Sequence, residues 1–148
     1  QITAVDMHAE NLDSDQLTVI ASVQGSLNSD NSHAFEEIDN AISYFCEHYN
    51  EPINIDDYAK ENHFSTSWFI RNFKLYTGIT PKQYILKKRI YNAEALLQNT
   101  QYNINEIAQI IGYDNPLYFS RVFQNTKVIS PSEYRKNISQ RVFNSPSL

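Results

Sequence analysis

The stretch that decides the fold covers residues 54–84, NIDDYAKENHFSTSWFIRNFKLYTGITPKQY, and it recurs in related form at residues 103–134, NINEIAQIIGYDNPLYFSRVFQNTKVISPSEY. The offset between the copies is 49 residues at their start and 50 after one extra residue in the second. Four pairs of residues coincide at the second spacing, namely Trp68 with Tyr118, Phe69 with Phe119, Arg71 with Arg121 and Phe73 with Phe123. Self-similarity at a fixed spacing is typical of a duplicated supersecondary unit. The sequence therefore predicts two copies of one unit.

Both copies carry the same signals for the start of a helix. An Asn that can act as an N-cap, Asn54 or Asn103, is followed three residues later by an acid, Asp57 or Glu106. The carboxylate at that spacing can reach back to the amide of the cap. Further starts are marked by cap residues, most of them followed by proline: Ser65, Asn115-Pro116, Thr80-Pro81 and Ser130-Pro131. Each copy is therefore predicted to contain a short helix, a turn, a second helix and the start of a third.

The apolar periodicity predicts an all-α fold of about seven helices, in which two helix-turn-helix subdomains are joined by a long linker helix. Apolar residues recur every three or four positions, whereas the alternation typical of a half-buried strand is scarce after residue 34. The predicted segments are a helix at about 33–49, the first helix-turn-helix at about 54–78, the linker helix at about 81–98, the second helix-turn-helix at about 103–127 and a final helix at about 131–140.

The short turn between the two helices of each copy is typical of a helix-turn-helix. Gly112 permits this turn in the second copy, while Asn62 and His63 stand there in the first, and Asn62 is expected to tolerate a left-handed backbone. A plain helical bundle could use the same turns. Arg71 and Arg121, however, lie two residues from core aromatics and so face away from the core at equivalent places, where they could contact bases or phosphates.

Charge is divided unevenly along the chain, although its net value is −5 at pH 7. Residues 1–50 hold nine acids and neither Lys nor Arg, whereas residues 62–148 hold eleven Lys and Arg against four acids, a balance of +7. A basic segment of this density can neutralise phosphates. An ordinary solvated surface gives the same count, so charge alone does not decide for nucleic acid.

The order of short motifs resembles the DNA-binding domain of the AraC/XylS family of bacterial transcription regulators, and residues 34–148 correspond to that domain. The motifs are Ser65-x-x-x-Phe69-x-Arg71-x-Phe73-Lys74, Gly78-Ile-Thr-Pro81-x-x-Tyr84, Arg89-x-x-x-Ala93-x-x-Leu96-Leu97, Ile104-Asn-Glu-Ile-Ala108-x-x-x-Gly112-Tyr113, Tyr118-Phe119-Ser-Arg121-Val-Phe123 and Ser130-Pro131-x-x-Tyr134-Arg135. The resemblance implies a sequence-specific regulator whose two helix-turn-helix units enter adjacent major-groove segments. A linker helix of roughly 27 Å is of the order of the roughly 34 Å between such segments.

The resemblance also implies two sets of DNA-contacting residues. The residues predicted to face the bases are Thr66, Ser67, Ile70 and Arg71 in the first unit and Pro116, Leu117, Ser120 and Arg121 in the second. The residues predicted to contact phosphate are Ser65, Lys74, Lys82, Lys87, Lys88, Asn115, Gln124, Arg135 and Lys136. Arginine can bridge two acceptors of guanine, whereas Ile70 and Leu117 offer only apolar contact, as to a thymine methyl. We therefore expect A/T-rich positions beside one guanine contact in each half of the operator.

Three positions depart from the family pattern or carry a second interpretation. Val128 stands where Gly78 stands in the first copy, so we expect the loop to close differently if this position requires a positive φ. Gln124 replaces a basic residue of the first copy, so the second unit is expected to hold DNA less tightly. Arg89 occupies a position that in the family usually pairs with an acid, and Glu106 is the candidate partner. Arg89 can therefore be interpreted either as part of this ion pair or as a DNA contact.

Residues 1–33 are predicted to be an acidic linker or the tail of an upstream regulatory domain, with a sequence at 13–27 that could form a short helix and a polar linker at 28–33. The first residue is Gln1 rather than Met, so we expect a fragment or a processed chain. The resemblance implies double-stranded DNA and RNA polymerase as partners and a monomeric DNA-binding domain. It also implies dimerisation of the full-length protein through an upstream domain and a bacterial cytoplasmic location at the nucleoid.

Other function classes find little support in the sequence. A Gly-rich phosphate loop, a His-Glu-x-x-His motif and a Gly-x-Ser-x-Gly turn are missing, so we predict no enzyme, no cofactor and no metal site. Cys46, the single cysteine, falls on the apolar side of a predicted helix and is expected in the core. Because the apolar runs span only a few residues, we predict neither a transmembrane helix nor a signal peptide. A membrane is not expected as a partner. The chief alternative function is a helical protein-interaction domain whose basic face binds an acidic partner.

Overall fold

The computed structural model describes residues 29–144, with side chains from 32 to 142, and this part of the chain contains helices and turns without a strand. Its seven helices are α1 (Ser29–His48), α2 (Ile55–Glu61), α3 (Thr66–Thr77), α4 (Pro81–Asn99), α5 (Ile104–Ile110), α6 (Pro116–Lys127) and α7 (Pro131–Asn144). The predicted all-α fold is confirmed. The predictions for residues 1–28 and 145–148 lie outside the described residues.

Helix α1 begins earlier than the sequence predicts. The expected polar linker at 28–33 is helical from Ser29 onward, instead of a helix that starts at about 33. Residues 29–33, SDNSH, contain no apolar side chain, so this turn leaves no apolar period in the sequence. The first packed residue is Phe35, whose ring centroid lies 4.8 Å from that of Tyr76. The apolar pattern therefore marks the first packed side chains of α1 rather than the residue at which the helix begins.

The described residues form two compact units, the first made of residues 29–48 and 53–85 and the second of residues 49–52 and 86–144. The core of the first unit consists of Ile38, Ala41, Ile42, Phe45, Tyr58, Ala59, Phe69, Phe73, Tyr84 and Ile85. The core of the second unit consists of Ile90, Ala93, Leu97, Ile107, Ala108, Ile111, Tyr113, Phe119 and Phe123. The repeat in the sequence therefore corresponds to two hydrophobic cores, each built around one helix-turn-helix.

A tyrosine near the start of a third helix packs at the same place of both units. The Tyr84 hydroxyl lies 3.4 Å from Cys46 Sγ in the first unit, and the Tyr134 hydroxyl donates to Glu94 Oε2 at 2.9 Å in the second. Burial raises the pKa of Tyr84 above the usual value for tyrosine. Cys46 is half-buried and packs against the core of the first unit. The thiol thus lies at the edge of the core in which the sequence places it.

The predicted Asn caps of the two shortest helices are present, but the predicted reciprocal bond from a carboxylate is observed at α5 and not at α2. The side chains of Asn54 and Asn103 accept the amide hydrogens of Asp57 (3.0 Å) and Glu106 (2.8 Å). The Glu106 carboxylate in turn accepts the amide hydrogen of Asn103 at 3.1 Å, which completes a capping box at the start of α5. Helices of seven residues are marginal in isolation. The caps therefore matter for the formation of α2 and α5.

The turn inside each helix-turn-helix contains one residue in the left-handed conformation. This residue is Gly112 in the second unit (φ +102°) and His63 in the first (φ 64°). The expectation that Asn62 takes this conformation is wrong, because its φ is −100°. The Asn62 side-chain amide donates to the Tyr58 carbonyl oxygen at 2.8 Å, which holds Asn62 at the end of α2. The left-handed residue is therefore the next one along the chain.

Val128 ends α6 in the left-handed conformation that Gly78 adopts at the end of α3. Their φ angles are 75° and 86°, and their amides donate at 2.8 Å to the carbonyl oxygens of Gln124 and Lys74. The expectation that this loop closes differently in the second unit is wrong, since the same bond closes both helices. The β-branched side chain is accommodated in a conformation that costs an L-residue about 1–2 kcal/mol.

Replacing Val128 by glycine is expected to stabilise the protein by about 1 kcal/mol, because glycine adopts a positive φ without steric strain. The Val128 side chain is 81% exposed, so its removal loses little apolar contact. Urea denaturation followed by circular dichroism would measure the free energy of unfolding. Gly78→Val is the matched control and should be destabilised, since it introduces the same strain. A Val128→Gly variant that is no more stable than the parent would contradict the assignment of strain.

Candidate nucleic-acid interface

Helices α3 and α6 are the second helices of the two helix-turn-helix motifs, and both begin at capped N-termini. Ser65 Oγ accepts the amide hydrogen of Trp68 at 3.1 Å. Asn115 Oδ1 accepts those of Leu117 at 2.9 Å and Tyr118 at 3.3 Å. The N-terminus of a helix is the positive end of its dipole and suits an anionic partner. These hydrogen bonds confirm the caps predicted for the two helices. Both cap residues, Ser65 and Asn115, are exposed.

Each of these helices buries one face and exposes the opposite one. The buried face consists of Phe69 and Phe73 in α3 and of Phe119 and Phe123 in α6, all with no exposed area. Residues four apart share a face of a helix, and a residue halfway between them lies on the other side. Arg71 and Arg121 occupy that halfway position and are exposed. Within residues 29–144, neither guanidinium group has a hydrogen bond or an ion pair.

The other residues predicted to face the bases differ between the two units. In the first unit Ser67 is exposed and Ile70 is 37% exposed. In the second unit Leu117 is 62% exposed, while Pro116 and Ser120 are half-buried. Thr66 is half-buried, and its hydroxyl donates to the Asp56 carboxylate. The exposed face of α3 thus carries a hydroxyl group beside its apolar side chain, whereas that of α6 is more apolar.

Most of the residues predicted to contact phosphate lie at the surface. Ser65, Lys74, Lys82, Lys87, Asn115, Gln124 and Lys136 are exposed. Lys88 is only 9% exposed, so its side chain is largely surrounded by protein. Contact with phosphate requires an accessible cation. We therefore remove Lys88 from the predicted phosphate contacts, because a count of charges along a helix does not reveal which of them its packing buries.

Arg135 is a second correction, because its guanidinium group binds backbone carbonyl oxygens at the end of α4. Nε donates to Leu97 at 3.1 Å, Nη1 to Tyr102 at 2.5 Å, and Nη2 to Leu96 and Thr100 at 3.4 and 3.3 Å. The last carbonyl groups of a helix lack partners within the helix and are stabilised by a cation. Arg135 is therefore a structural residue of the second unit, and we remove it from the phosphate contacts.

Arg89 binds backbone carbonyl oxygens rather than the predicted partner Glu106. Its Nε donates to the Tyr49 carbonyl oxygen at 2.6 Å and its Nη2 to that of Glu51 at 2.9 Å. Its Cζ lies 4.9 Å from the centroid of the Tyr113 ring, in a cation–π arrangement. Burial raises the pKa of Tyr113, while the positive charge of Arg89 acts in the opposite direction. The predicted pair is wrong because the Glu106 carboxylate is the capping group of α5.

Tyr118 is a further exposed residue of α6, and its equivalence to Trp68 in the repeat does not predict this exposure. Its side chain is 57% exposed, three residues before Arg121. Trp68 is half-buried, with its ring 4.7 Å from that of Phe64. Asp114 stands at the position of Phe64 in the second copy, and the ring of Tyr113 contacts Tyr118 with its centroid 5.7 Å away. The exchange of Phe64 for Asp114 was the signal in the sequence that could have identified Tyr118.

Lys127, at the end of α6, is held by an ion pair within the second unit. Its Nζ lies 3.1 Å from Glu94 Oε1, and both side chains are partly buried. The same carboxylate accepts the hydroxyl hydrogen of Tyr134 through Oε2. The charge of Lys127 is therefore partly balanced before any ligand arrives.

Residues 29–144 contain neither a cluster of metal ligands nor a helix suited to cross a membrane. In this part of the chain, His, Cys, Asp and Glu side chains nowhere gather in the groups of three that a metal ion requires. None of its seven helices combines the length and the apolar character needed to cross a membrane.

The arrangement is shared with known proteins. A family model described as a helix-turn-helix domain matches residues 58–137. The regulatory protein SoxS of Escherichia coli K12 is 35% identical over 101 residues, which cover 68% of this chain and 94% of SoxS. An AraC-type transcriptional regulator from Chromobacterium violaceum has a TM-score of 0.62 at 31% identity, covering 76% of this chain and 98% of its own. The DNA-binding domain of AdpA, solved in complex with a target DNA, has a TM-score of 0.67 at 25% identity, covering 73% and 97%.

The chain belongs to the AraC/XylS family of helix-turn-helix transcription regulators, as its motifs predict. Within that family it corresponds to the DNA-binding domain, since the solved domains it matches are covered almost completely. The chain spans 36% and 37% of the length of two further curated regulators that it matches. Its relatives are transcription regulators, a family that is not enzymatic.

Proposed function

We propose that this chain is the sequence-specific DNA-binding part of a bacterial transcription regulator and that it reads two adjacent major-groove segments, one with α3 and one with α6. One observation carries the proposal: Arg71 and Arg121 occupy equivalent positions of the repeat and are exposed without a partner in the described part of the chain. A guanidinium group with all its donors available can bind the O6 and N7 atoms of guanine in a bidentate manner. A protein that recognises two half-sites requires one such guanidinium group in each unit.

The residues around each arginine supply the remaining contacts with the bases. Ile70 and Leu117 are exposed apolar side chains that suit thymine methyl groups. Ser67 is exposed and can donate or accept a hydrogen bond, as can the hydroxyl of Tyr118. The half-buried Ser120 and Pro116 can contribute only through the part of each that reaches the surface. The proposed operator therefore combines a guanine with thymine-rich neighbours in each half-site.

The two units are expected to contribute unequally to affinity. The first unit carries an exposed Lys74 beside Arg71, whereas Gln124 stands at the position of Lys74 in the second. Lys127 adds little to the second unit, because Glu94 already balances its charge. Since phosphate contacts by cations dominate DNA affinity, the first unit should hold the DNA more tightly. The second unit would then act mainly through its base contacts.

The activity of the whole regulator extends beyond these residues. We propose that residues 34–148 form the DNA-binding domain and act as a monomer on DNA. Dimerisation and the response to a signal would belong to an upstream domain, of which residues 1–33 form the acidic linker or tail. The partners would be double-stranded DNA and RNA polymerase, in the bacterial cytoplasm at the nucleoid. The protein would need neither a cofactor nor a catalytic residue for this role.

Replacing Arg71 or Arg121 by alanine is expected to weaken binding to the preferred duplex by about 1–3 kcal/mol and to relax the preference at one base pair. The preferred duplex would be selected from random sequences and its affinity measured by fluorescence anisotropy. Lys60→Ala is the matched control, because it removes an exposed cation of the first unit that is not among the proposed contacts. Uniform weakening on all duplexes would instead make the arginine a phosphate contact.

The same titrations, repeated at two salt concentrations, distinguish DNA binding from the alternative function as a protein-interaction domain. Each neutralised phosphate contributes about −0.9 to the slope of log K against log salt concentration. Four lysines remain among the proposed phosphate contacts, namely Lys74, Lys82, Lys87 and Lys136. Binding should therefore weaken by roughly a hundredfold between 50 and 200 mM salt. A DNA signal nearly independent of salt would favour the alternative function.

A further inference from the structure

Thr66 and Asp56 form a hydrogen bond between the two helices of the first helix-turn-helix. Thr66 is the first residue of α3, and Asp56 lies in the first turn of α2. Thr66 Oγ1 donates to Asp56 Oδ1 at a distance of 2.5 Å. An ionised carboxylate can only accept, so the hydroxyl hydrogen points at Asp56. This distance is at the short and strong end of the range for a hydroxyl bound to a carboxylate.

The bond determines what Thr66 can offer to a base. A threonine hydroxyl has one hydrogen and two lone pairs, so a free hydroxyl can pair with a donor or with an acceptor. Because the hydrogen of Thr66 is engaged by Asp56, only its capacity to accept remains. In the major groove, the amino groups of adenine and cytosine are donors, whereas O6 of guanine and O4 of thymine are acceptors. Through its hydroxyl group, Thr66 can therefore form a hydrogen bond with adenine or cytosine but not with O6 of guanine or O4 of thymine.

The second unit has no equivalent of this pair. Asn105 stands at the position of Asp56, and Pro116 stands at the position of Thr66. Proline has neither a hydroxyl group nor a backbone N–H with which to contact a base. The restriction on hydrogen bonding therefore belongs to the first unit alone, and it would make the two half-sites differ in sequence at this place.

We propose that Asp56 is a positioning residue that makes Thr66 an acceptor-only reader, so that the first unit prefers adenine or cytosine at the base opposite Thr66. The proposal rests on the proposed function, since it requires α3 to lie in the major groove. It concerns the preference among bases rather than the overall affinity. Removing any negative charge from this surface strengthens binding to a polyanion, so affinity alone would not report on the hydrogen bond.

Asp56→Ala tests the proposal, with Asp57→Ala as the matched control. Both variants remove one exposed carboxylate from the first turn of α2, but only the first removes the acceptor of the Thr66 hydroxyl hydrogen. Thr66→Val keeps the shape of the side chain but removes its hydroxyl group. The base pair at which this variant loses the sequence preference of the parent protein is the one that Thr66 contacts. Affinities of all proteins would be measured for four duplexes that differ at this base pair, with circular dichroism as the check of folding.

The parent protein is expected to prefer adenine or cytosine at this base pair by about threefold to tenfold, the range given by one hydrogen bond. Asp56→Ala should abolish this preference, while Asp57→Ala should keep it and change the affinity for all four duplexes alike. The proposal is overturned if Asp56→Ala keeps the parental preference or if the parent prefers guanine or thymine. If the parent protein selects no preferred DNA sequence at all, the proposed function fails together with this proposal. If it selects a preferred sequence but Asp56→Ala leaves the preference unchanged, only the role of Asp56 fails.

Discussion

Replacing Gly112 by alanine is expected to lower the free energy of unfolding of the second unit by about 3–5 kcal/mol. Two separate costs act at this residue. Its φ is +102°, a conformation that L-residues rarely adopt. An added Cβ would also lie 2.6 Å from the carbonyl oxygen and 2.8 Å from the carbonyl carbon of Asn50. Because both atoms belong to the backbone, a change of rotamer cannot relieve the clash. Urea denaturation followed by circular dichroism measures the loss.

Gly78→Ala is the matched control for this prediction. Gly78 also has a positive φ, 86°, but an added Cβ would meet no heavy atom within 4 Å. Only the conformational cost remains there, about 1–2 kcal/mol. The difference between the two variants therefore measures the close approach of the chain at Asn50. Equal losses for Gly112→Ala and Gly78→Ala would show that this approach is unimportant.

The repeat made much of the fold predictable, because equivalent residues in two copies confirm each other's roles. Phe69 and Phe119 agree in spacing, in burial and in their place on a helix. The capping box of Asn103 and Glu106 follows from local chemistry over four residues, and such local signals survive any tertiary arrangement. Where the copies differ, the prediction failed. Val128 was expected to change the loop, yet the backbone keeps the conformation of its counterpart and tolerates the strain.

The candidate interface was predictable for a similar reason, but only in part. Arg71 could be placed on an exposed face from its spacing to two phenylalanines, and the structure exposes it. The burial of Lys88 could not be predicted in this way, since it depends on what packs around α4. The bond from Thr66 to Asp56 joins residues ten apart on different helices, and the sequence has no pattern that announces it.

Arginines that bind backbone carbonyl groups were the largest source of error. An acidic partner for Arg89 and a phosphate contact for Arg135 were the natural predictions, because charged partners are visible in a sequence. Every residue carries a carbonyl oxygen, so a guanidinium that binds carbonyl groups has no partner that stands out in the sequence. The structure gives both arginines this role. In each case the side chain joins segments that are far apart along the chain, and this makes its removal costly.

Replacing Arg89 by alanine is therefore expected to destabilise the second unit by about 3 kcal/mol. The variant loses two hydrogen bonds to a charged donor, at 2.6 and 2.9 Å, and a cation–π contact with Tyr113. The carbonyl oxygen of Tyr49 would also lose the hydrogen bond that Arg89 Nε donates to it. Urea denaturation followed by circular dichroism would measure the loss, and Lys87→Ala, at the neighbouring exposed position of α4, should change the stability by less than about 0.5 kcal/mol.

A lysine at position 89 tests whether charge or geometry is responsible. Lysine keeps the positive charge, but its single ammonium group cannot match the fork of donors that reaches the carbonyl groups of Tyr49 and Glu51 at once. Arg89→Lys is therefore expected to recover less than half of the stability that Arg89→Ala loses. Full recovery would mean that a positive charge near Tyr113 is sufficient, and that the two hydrogen bonds to segment 49–52 contribute little. The predicted ion pair with Glu106 would also tolerate lysine, so the same variant separates the observed arrangement from the one that the sequence suggested.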